Sequence, residues 1–374
     1  MGVSPKRVIQ TAFFGRWRRS QPLVPGYTIL LPTPMDMPFL LRFALEGLRH
    51  LNTENCRQIL VIPDGWGDDG GKAFRDVIAA CDDPRVELVE LRPIIRFYIH
   101  KIQMRKTRRS AANWSHWAMI VEGTASARSE HAFLHDADAF FIDSDALERQ
   151  YRECRDRVMN TLGVQVRTDA FFHRIGYAIP GTWEMMYSVR WARRRNPLTL
   201  KGLWHSTPHG VHEFDTMLYP QYLDYESGTI GTMELPPRLV HFHGAVTTYR
   251  VLKDHATRPV IDMLFRLLLL SILEDLLPAP DGNRILPTPG ELARGLTDLS
   301  APITYNSETA TREYPIFRKQ VEELCESPTF AGSRADRIRE LIQPFDDHYG
   351  SPGAEVPTLT SVEPVPIPRR HGLG

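Results

Sequence analysis

HAFLHDADAFF, residues 131–141, is an apolar run that ends in two aspartates. Ala132, Phe133 and Leu134 read as a buried strand, and Asp136-Ala137-Asp138 as the turn that closes it. Two carboxylates at i and i+2, just past a buried strand, can reach one divalent cation together. Hard oxygen ligands suit Mg²⁺ or Mn²⁺, which usually share them with substrate phosphates. An ion held there would neutralise a departing diphosphate. The aromatic pair Phe140 and Phe141 follows at once and sets the motif apart from a plain solvated turn.

Working outward from it, strand-like and helix-like segments alternate. YTILLP (27–32) is a short apolar run closed by proline. Phe39 to Leu51 has apolar residues at helical spacing. QILVIP (58–63) is a second buried strand, turned by Asp64-Gly65; Lys72 to Cys81 predicts a helix and RVELVEL (85–91) a third strand. Arg105 to Glu122 predicts the helix before 131–136. This βαβα order predicts a mostly parallel sheet covered on both faces. Right-handed crossovers put the strand C-termini on one edge, where ligands of such sheets sit. Asp64, Asp136 and Asp138 each follow a predicted strand, so they are expected at one site.

Downstream, Glu148 to Thr161 predicts a helix, Val164 to Ile179 strands, and RLVHFHG (238–244) a late strand. His241 and His243 flank Phe242, so both point to one face of it. Residues 259–277 predict an apolar helix that is apolar on all sides, as burial or a dimer contact requires. The expected organisation is a basic arm (1–26), an α/β domain (27–250), a helical C-terminal extension (251–350) and a disordered Pro-rich tail (351–374).

Composition excludes several classes. Lys+Arg and Asp+Glu are both 45 in 374 residues, so no global positive field draws nucleic acid. The four cysteines have no CxxC spacing, which argues against a zinc ribbon or a disulfide framework and suits a reducing cytosol. The uninterrupted apolar run Leu267 to Leu273 is too short to cross a bilayer. The first residues contain no apolar core of signal-peptide length. A cytoplasmic protein is expected, with room for a peripheral contact at the inner face of the membrane.

These residues together resemble the nucleotide-sugar glycosyltransferases of the GT-A fold, family 2 above all. YTILLPTPMDMPFLLRFALEGL looks like their opening strand, Pro-Thr and first helix. ILVIPDGWGDD resembles their second strand and its Asp-Gly-Ser-x-Asp stretch, here Pro63-Asp64-Gly65-Trp66. TRRSAANW resembles the Arg/Asn helix before the DxD strand, and HAFLHDADAFF that strand itself. The similarity runs over about residues 27–250, with an insertion at Ala118 to Glu130.

The resemblance implies a metal-assisted, inverting transfer from a nucleoside diphosphate sugar. Pro32 and Thr33 would line the nucleotide cleft and Asp64 would touch the base. Arg109 and Asn113 would approach the nucleotide, with Arg108 the rival of Arg109. Asp136 and Asp138 would hold ribose and Mn²⁺ or Mg²⁺, joined by one late histidine, His243 ahead of His241. The acidic general base would come from HGVHEFDTMLYPQY, Asp215 ahead of Glu213, although Asp215 suits the N-cap of a helix over 216–222 equally well. GTWEMMYSVRW offers Trp183 as a stacking surface for sugar or base and Glu184 as a rival base. The acceptor would be a sugar, a lipid-linked sugar or a small molecule.

The basic clusters Arg92 to Arg109 and Arg190 to Arg195 are either solvated helix faces or contacts to diphosphate, an anionic acceptor or a lipid surface. A nucleotidyltransferase would show a Gly-rich loop after the first strand, and PTPMDMP has no glycine. A non-catalytic sugar-nucleotide scaffold would not need an intact DxD.

Overall fold

The computed structural model describes residue 17 and residues 22–65, 71–97, 108–166, 169–242, 244–246, 264–277, 284–296 and 307–350, with backbone only at helix positions 94, 97, 108–113, 264 and 307–309. The first half alternates as its apolar runs predict: β1 (Val24–Thr33), α1 (Pro38–Arg49), β2 (Cys56–Pro63), α2 (Lys72–Ala79), β3 (Val86–Leu88), α3 (Pro93–Phe97), α4 (Arg108–Ser126) and β4 (Ser129–His135). Then come β5 (Ala139–Phe141), α5 (Ala146–Asp156), β6 (Thr161–Gln165), α6 (Ala170–Ile175), β7 (Pro180–Ser188) and α7 (Val189–Arg193). A hairpin of β8 (Trp204–Thr207) and β9 (Gly210–Glu213) leads to α8 (Leu218–Asp224), β10 (Ile230–Thr232) and β11 (Leu239–His241). Four helices close the described chain: α9 (Leu264–Leu276), α10 (Pro289–Arg294), α11 (Ser307–Glu326) and α12 (Ser333–Tyr349).

Seven strands form one sheet in the order β10-β6-β7-β4-β1-β2-β3. β7 runs against both its neighbours, and the other pairings are parallel. The α/β class and the mostly parallel sheet are thus as the sequence predicts. Ile29, Leu31, Ile59, Val61 and Phe133 face one core, which α1, α9, α11 and α12 complete. Leu30, Leu60, Ile62, Ala132 and Leu134 face the other, built with α4 and α7. Burial on both faces explains why these strands read as continuous apolar runs. At Gly123 of α4 a Cβ would come within 2.4 Å of Ile62, so the helix lies on the sheet only because that position has no side chain.

The polar residues of the interior act as struts. Glu148 of α5 is buried and accepts from Tyr27 Oη at 3.0 Å, and from the Asn55 backbone N–H and Nδ2 at 2.8 Å each. It ties α5 to the start of β1 and to the loop before β2. Arg92 chelates the fully buried Glu122 of α4 at 2.6–2.8 Å. Arg193 donates to the carbonyls of Thr124, Ala125 and Ala127, the unpaired acceptors at the end of α4. Arg190 pairs with Glu130, and Arg195 with Asp224. These members of the two basic clusters are therefore structural ties.

Several expectations need correction. Val164 to Ile179 is not strand-rich: β6 ends at Gln165 and α6 follows. Asp169 caps α6 by accepting from Phe171 N–H, and Gly176 ends it at φ 73°. The local cap signals outweigh the strand preference of its aromatics. The helix expected over 216–222 starts at Leu218, and its N-cap is Met217, so Asp215 does not cap it. The arm boundary at 26 falls inside β1, which begins at Val24. Trp17 is buried and donates from Nε1 to Arg195 O at 3.1 Å. Of the helix expected over 259–277, residues 259–263 lie outside the described residues, and the described part, α9, is core, with Leu267 to Leu270 all enclosed. The rest of the arm and the tail 351–374 lie outside the described residues. Among the described residues no helix is long and apolar enough to cross a membrane.

Removing the cap on α4 tests this account of the arginines. Arg193→Met should cost about 2 kcal/mol, the loss of charged hydrogen bonds to three carbonyls. Urea denaturation measures it. An unchanged midpoint would mean that solvent satisfies those carbonyls equally well.

Candidate functional site

β1, β2 and β4 end together at one edge of the sheet, because they pair in parallel with Thr33 opposite Pro63 and Leu30 opposite Leu134. The residues just past those ends therefore gather there. The Asp64 N–H donates to Thr33 O at 3.2 Å, and its Oδ1 accepts from Met35 N–H at 3.1 Å. Asp64 thus stands 6% exposed between the β1 and β2 ends, its carboxylate partly engaged in holding the loop after β1. Pro32 and Thr33 are buried in the last turn of β1.

The β4 end carries the acidic pair. Asp136 N–H donates to Trp183 O at 3.0 Å, Ala139 N–H to Asp136 O at 3.0 Å, and Phe242 N–H to Asp138 O at 3.3 Å. The turn is fixed from β7 on one side and from the end of β11 on the other. β11 pairs antiparallel with β5, Leu239 opposite Phe141 and His241 opposite Ala139. That register brings His241 Nε2 to 3.4 Å from Asp138 Oδ1 and 3.6 Å from Asp136 Oδ2. One ligand atom of each of Asp136, Asp138 and His241 lies within 4.8 Å of the others. The Trp183 indole stacks on the His241 imidazole, with centroids 4.5 Å apart at 27°.

The electrostatics favour a positive charge at this point. Burial alone would depress His241, but hydrogen bonds to Asp136 and Asp138 outweigh it and push the imidazole up to about 9. In the absence of a metal, a protonated imidazole suits the position beside the two carboxylates. Two hard carboxylates and an imidazole are a donor set that fits Mn²⁺ or Mg²⁺, and such an ion would displace that proton. Beneath the trio, His135 is fully enclosed and burial depresses it to about 3, so it is neutral.

The sequence points to all three groups and ranks His243 ahead of His241. His243 lies outside the described residues, and among those described His241 meets the carboxylates. His116 is missing from the sequence reading. It stands on α4 with Nε2 3.8 Å from Asp136 Oδ1. Its signal was spacing: positions 109, 113 and 116 share one helical face. The side chains of Arg109 and Asn113 are outside the described residues, as are Trp66 to Gly70. Glu213, the last residue of β9, and Asp215, just after the hairpin, are exposed, and Asp215 Oδ1 accepts from Thr216 N–H at 2.6 Å. Among the described residues no hydrogen bond or ion pair joins either of them to the trio.

Glu184 has a different environment. It sits opposite His135 in the β4–β7 register and is fully buried. Oε2 accepts from Val164 N–H at 3.2 Å, while Oε1 and the nearby Gln150 Oε1 have no hydrogen-bond partner. Burial pushes the carboxyl up to about 8, against the opposing pull of the Val164 N–H, Gln150 and His241.

No family model and no curated protein matches the chain. Solved structures do. The galactosyltransferase LgtC in complex with donor and acceptor sugar analogs is 12% identical, with 62% of this chain and 80% of that chain covered, at TM-score 0.38. The mannosyltransferase PcManGT from Pyrobaculum calidifontis, in complex with GDP-Man and Mn²⁺, is 14% identical over 92% and 91%, at TM-score 0.37. S. aureus TarS 1–349 is 9% identical over 86% and 91%, at TM-score 0.37. Likeness at this level says nothing of activity.

Glu184 gives a pH test. Between pH 4.5 and about 8 the folded chain keeps a proton that the unfolded chain releases, so stability falls as pH rises through that window. Glu184→Gln stays neutral and should flatten the slope. It should exceed the parent by on the order of 3 kcal/mol at pH 8 and match it near pH 4.5. Denaturation at both pH values checks this, and an identical pH slope in the two proteins would refute it.

Proposed function

We propose that this protein is a metal-assisted glycosyltransferase of the GT-A type. It moves a sugar from a nucleoside diphosphate sugar to a hydroxyl or amine of a sugar, lipid-linked or small-molecule acceptor. The observation that supports the reading is the Asp136–Asp138–His241 trio at the edge where β1, β2 and β4 end. Those three residues would hold Mn²⁺ or Mg²⁺, with His243 a further candidate. When bound, the ion supplies positive charge to the diphosphate oxygens.

The chain's own residues do the rest. Asp64, Pro32 and Thr33 form the wall for the nucleoside, with Arg109 and Asn113 assigned to the nucleotide from α4. Trp183 holds the His241 ring flat and borders the cleft. Asp215, exposed and oriented by the Thr216 N–H, takes the proton of the acceptor nucleophile, with Glu213 second in line. Attack from the face opposite the leaving diphosphate inverts the anomeric centre. Glu184 is enclosed, and its part is to support the floor under His241 and not to meet the acceptor. A cytoplasmic setting, contact with the inner membrane face and a homodimer belong to the same proposal. A nucleotidyltransferase would need a glycine loop where Pro32-Thr33-Pro34-Met35 stands.

Two substitutions test the assignment, with released nucleoside diphosphate as the readout across a panel of sugar nucleotides. Asp138→Ala should lower Mn²⁺-dependent turnover at least about a thousandfold while the circular dichroism spectrum is retained. Unchanged turnover would reject the metal site. Asp215→Asn should lower kcat by about 10²–10⁴ with donor Kd unaltered. A change in donor affinity alone would move Asp215 out of the base role.

A further inference from the structure

Lys201 is 4% exposed, among the most enclosed charged side chains described. Its Nζ lies 3.2 Å from the centroid of the Trp114 ring. That indole is held edge-on to Trp117, whose own Nε1 donates to Pro197 O at 2.8 Å. The ammonium is therefore seated on a braced aromatic face. Among the described residues no carboxylate pairs with it, and burial is the sole cause that pushes its pKa down, to about 8. Nor is Nζ among the sealed polar atoms that lack a partner. A buried cation with no counter-charge is costly to keep.

The chain around Trp114 carries no acid, and the acid that the fold brings beside the Lys201-Gly202 segment is Asp215. From residue 91 to residue 121 there is no Asp or Glu, while Arg92, Arg96, Lys101, Arg105, Lys106, Arg108 and Arg109 all fall in that stretch. Two segments of the proposed site lie beside this position. Trp114 is two residues before His116, which meets Asp136. Two helical residues rise about 3 Å, so the two lie within one turn of α4, on different faces of it. On the other side, the Gly202 backbone packs so tightly on Phe214 to Thr216 that a Cβ there would meet Phe214 O at 2.6 Å. That segment carries Asp215.

We propose that Lys201, seated on Trp114, binds an oxyanion of the substrate, a phosphate or carboxylate group that supplies its missing counter-charge. The indole orients the ammonium without neutralising it. Lysine suits the task as a compact point charge. Two sources share this chemistry: the diphosphate of the donor and an acidic group on the acceptor. Only the identity of the carrier rests on the transferase reading; the anion site itself does not.

The test is calorimetric, on the full chain, with Lys201→Met and Lys201→Arg beside the parent. One arm titrates a nucleoside diphosphate in Mn²⁺; the other titrates inorganic phosphate into protein already saturated with both. Lys201→Met should weaken binding at least tenfold in one arm, and Lys201→Arg should restore most of it. Loss in the first arm assigns the donor diphosphate, and loss in the second assigns an acidic acceptor. The melting temperature of Lys201→Met should hold or rise, since an unpaired ammonium gives way to an apolar chain of similar length. Unchanged affinity in both arms overturns the proposal. So does a lowered melting temperature with binding intact, which would make the lysine–indole contact purely structural. Asp138→Ala distinguishes the two readings: loss of its turnover with Lys201→Met binding normally leaves the transferase and removes this site, and the reverse pattern does the opposite.

Discussion

Two carboxylates separated by one residue can share a cation only if the chain between them is held in a tight turn. Three backbone hydrogen bonds hold Asp136-Ala137-Asp138 in that form, and two of them come from distant elements. Trp183 O is available because β7 runs antiparallel beside β4. Phe242 N–H is available because β11 pairs with β5 directly after the turn. The one reversed strand and the small second sheet thus do the same job: they fix the acidic turn, and the second sheet also delivers His241. Removing either pairing would leave two aspartates on a loose loop, which is a common and inert arrangement.

The strands at 27–32, 58–63 and 131–136 were legible because burial on both faces leaves an unbroken apolar run, and their ends named Asp64, Asp136 and Asp138. That His241 meets the carboxylates was not legible, because only the long-range register of β11 on β5 brings it there. His116 was within reach of helical spacing from Arg109 and Asn113, the two residues that the family resemblance singles out. The misjudged stretch Val164 to Ile179 shows local caps at Asp169 and Gly176 overruling aromatic strand preference. Enclosure of Glu184 and Lys201 could not be read, because it is made by elements far apart in the chain. The same holds for Arg92 and Arg193, whose partners on α4 lie about 30 and 70 residues away, as the pairing distances in sequence require.

A net charge of zero conceals a sharply divided interior. An acidic trio that attracts a cation stands at the end of β4, and a lysine with no acidic partner among the described residues stands beside α4. Each is unfavourable alone, in the manner of partly desolvated charges. A ligand bearing a divalent cation and an oxyanion would relieve both at once. On the proposed reading, that complementarity favours a charged substrate over a neutral one.

The central claim is that His241, with Asp136 and Asp138, completes a divalent-metal site. Pulsed electron paramagnetic resonance of Mn²⁺ bound with a nucleoside diphosphate tests it most directly. The account predicts nitrogen coupling from one imidazole in the parent protein and its disappearance in His241→Ala. Coupling that persists in His241→Ala, or its absence in the parent, would contradict it.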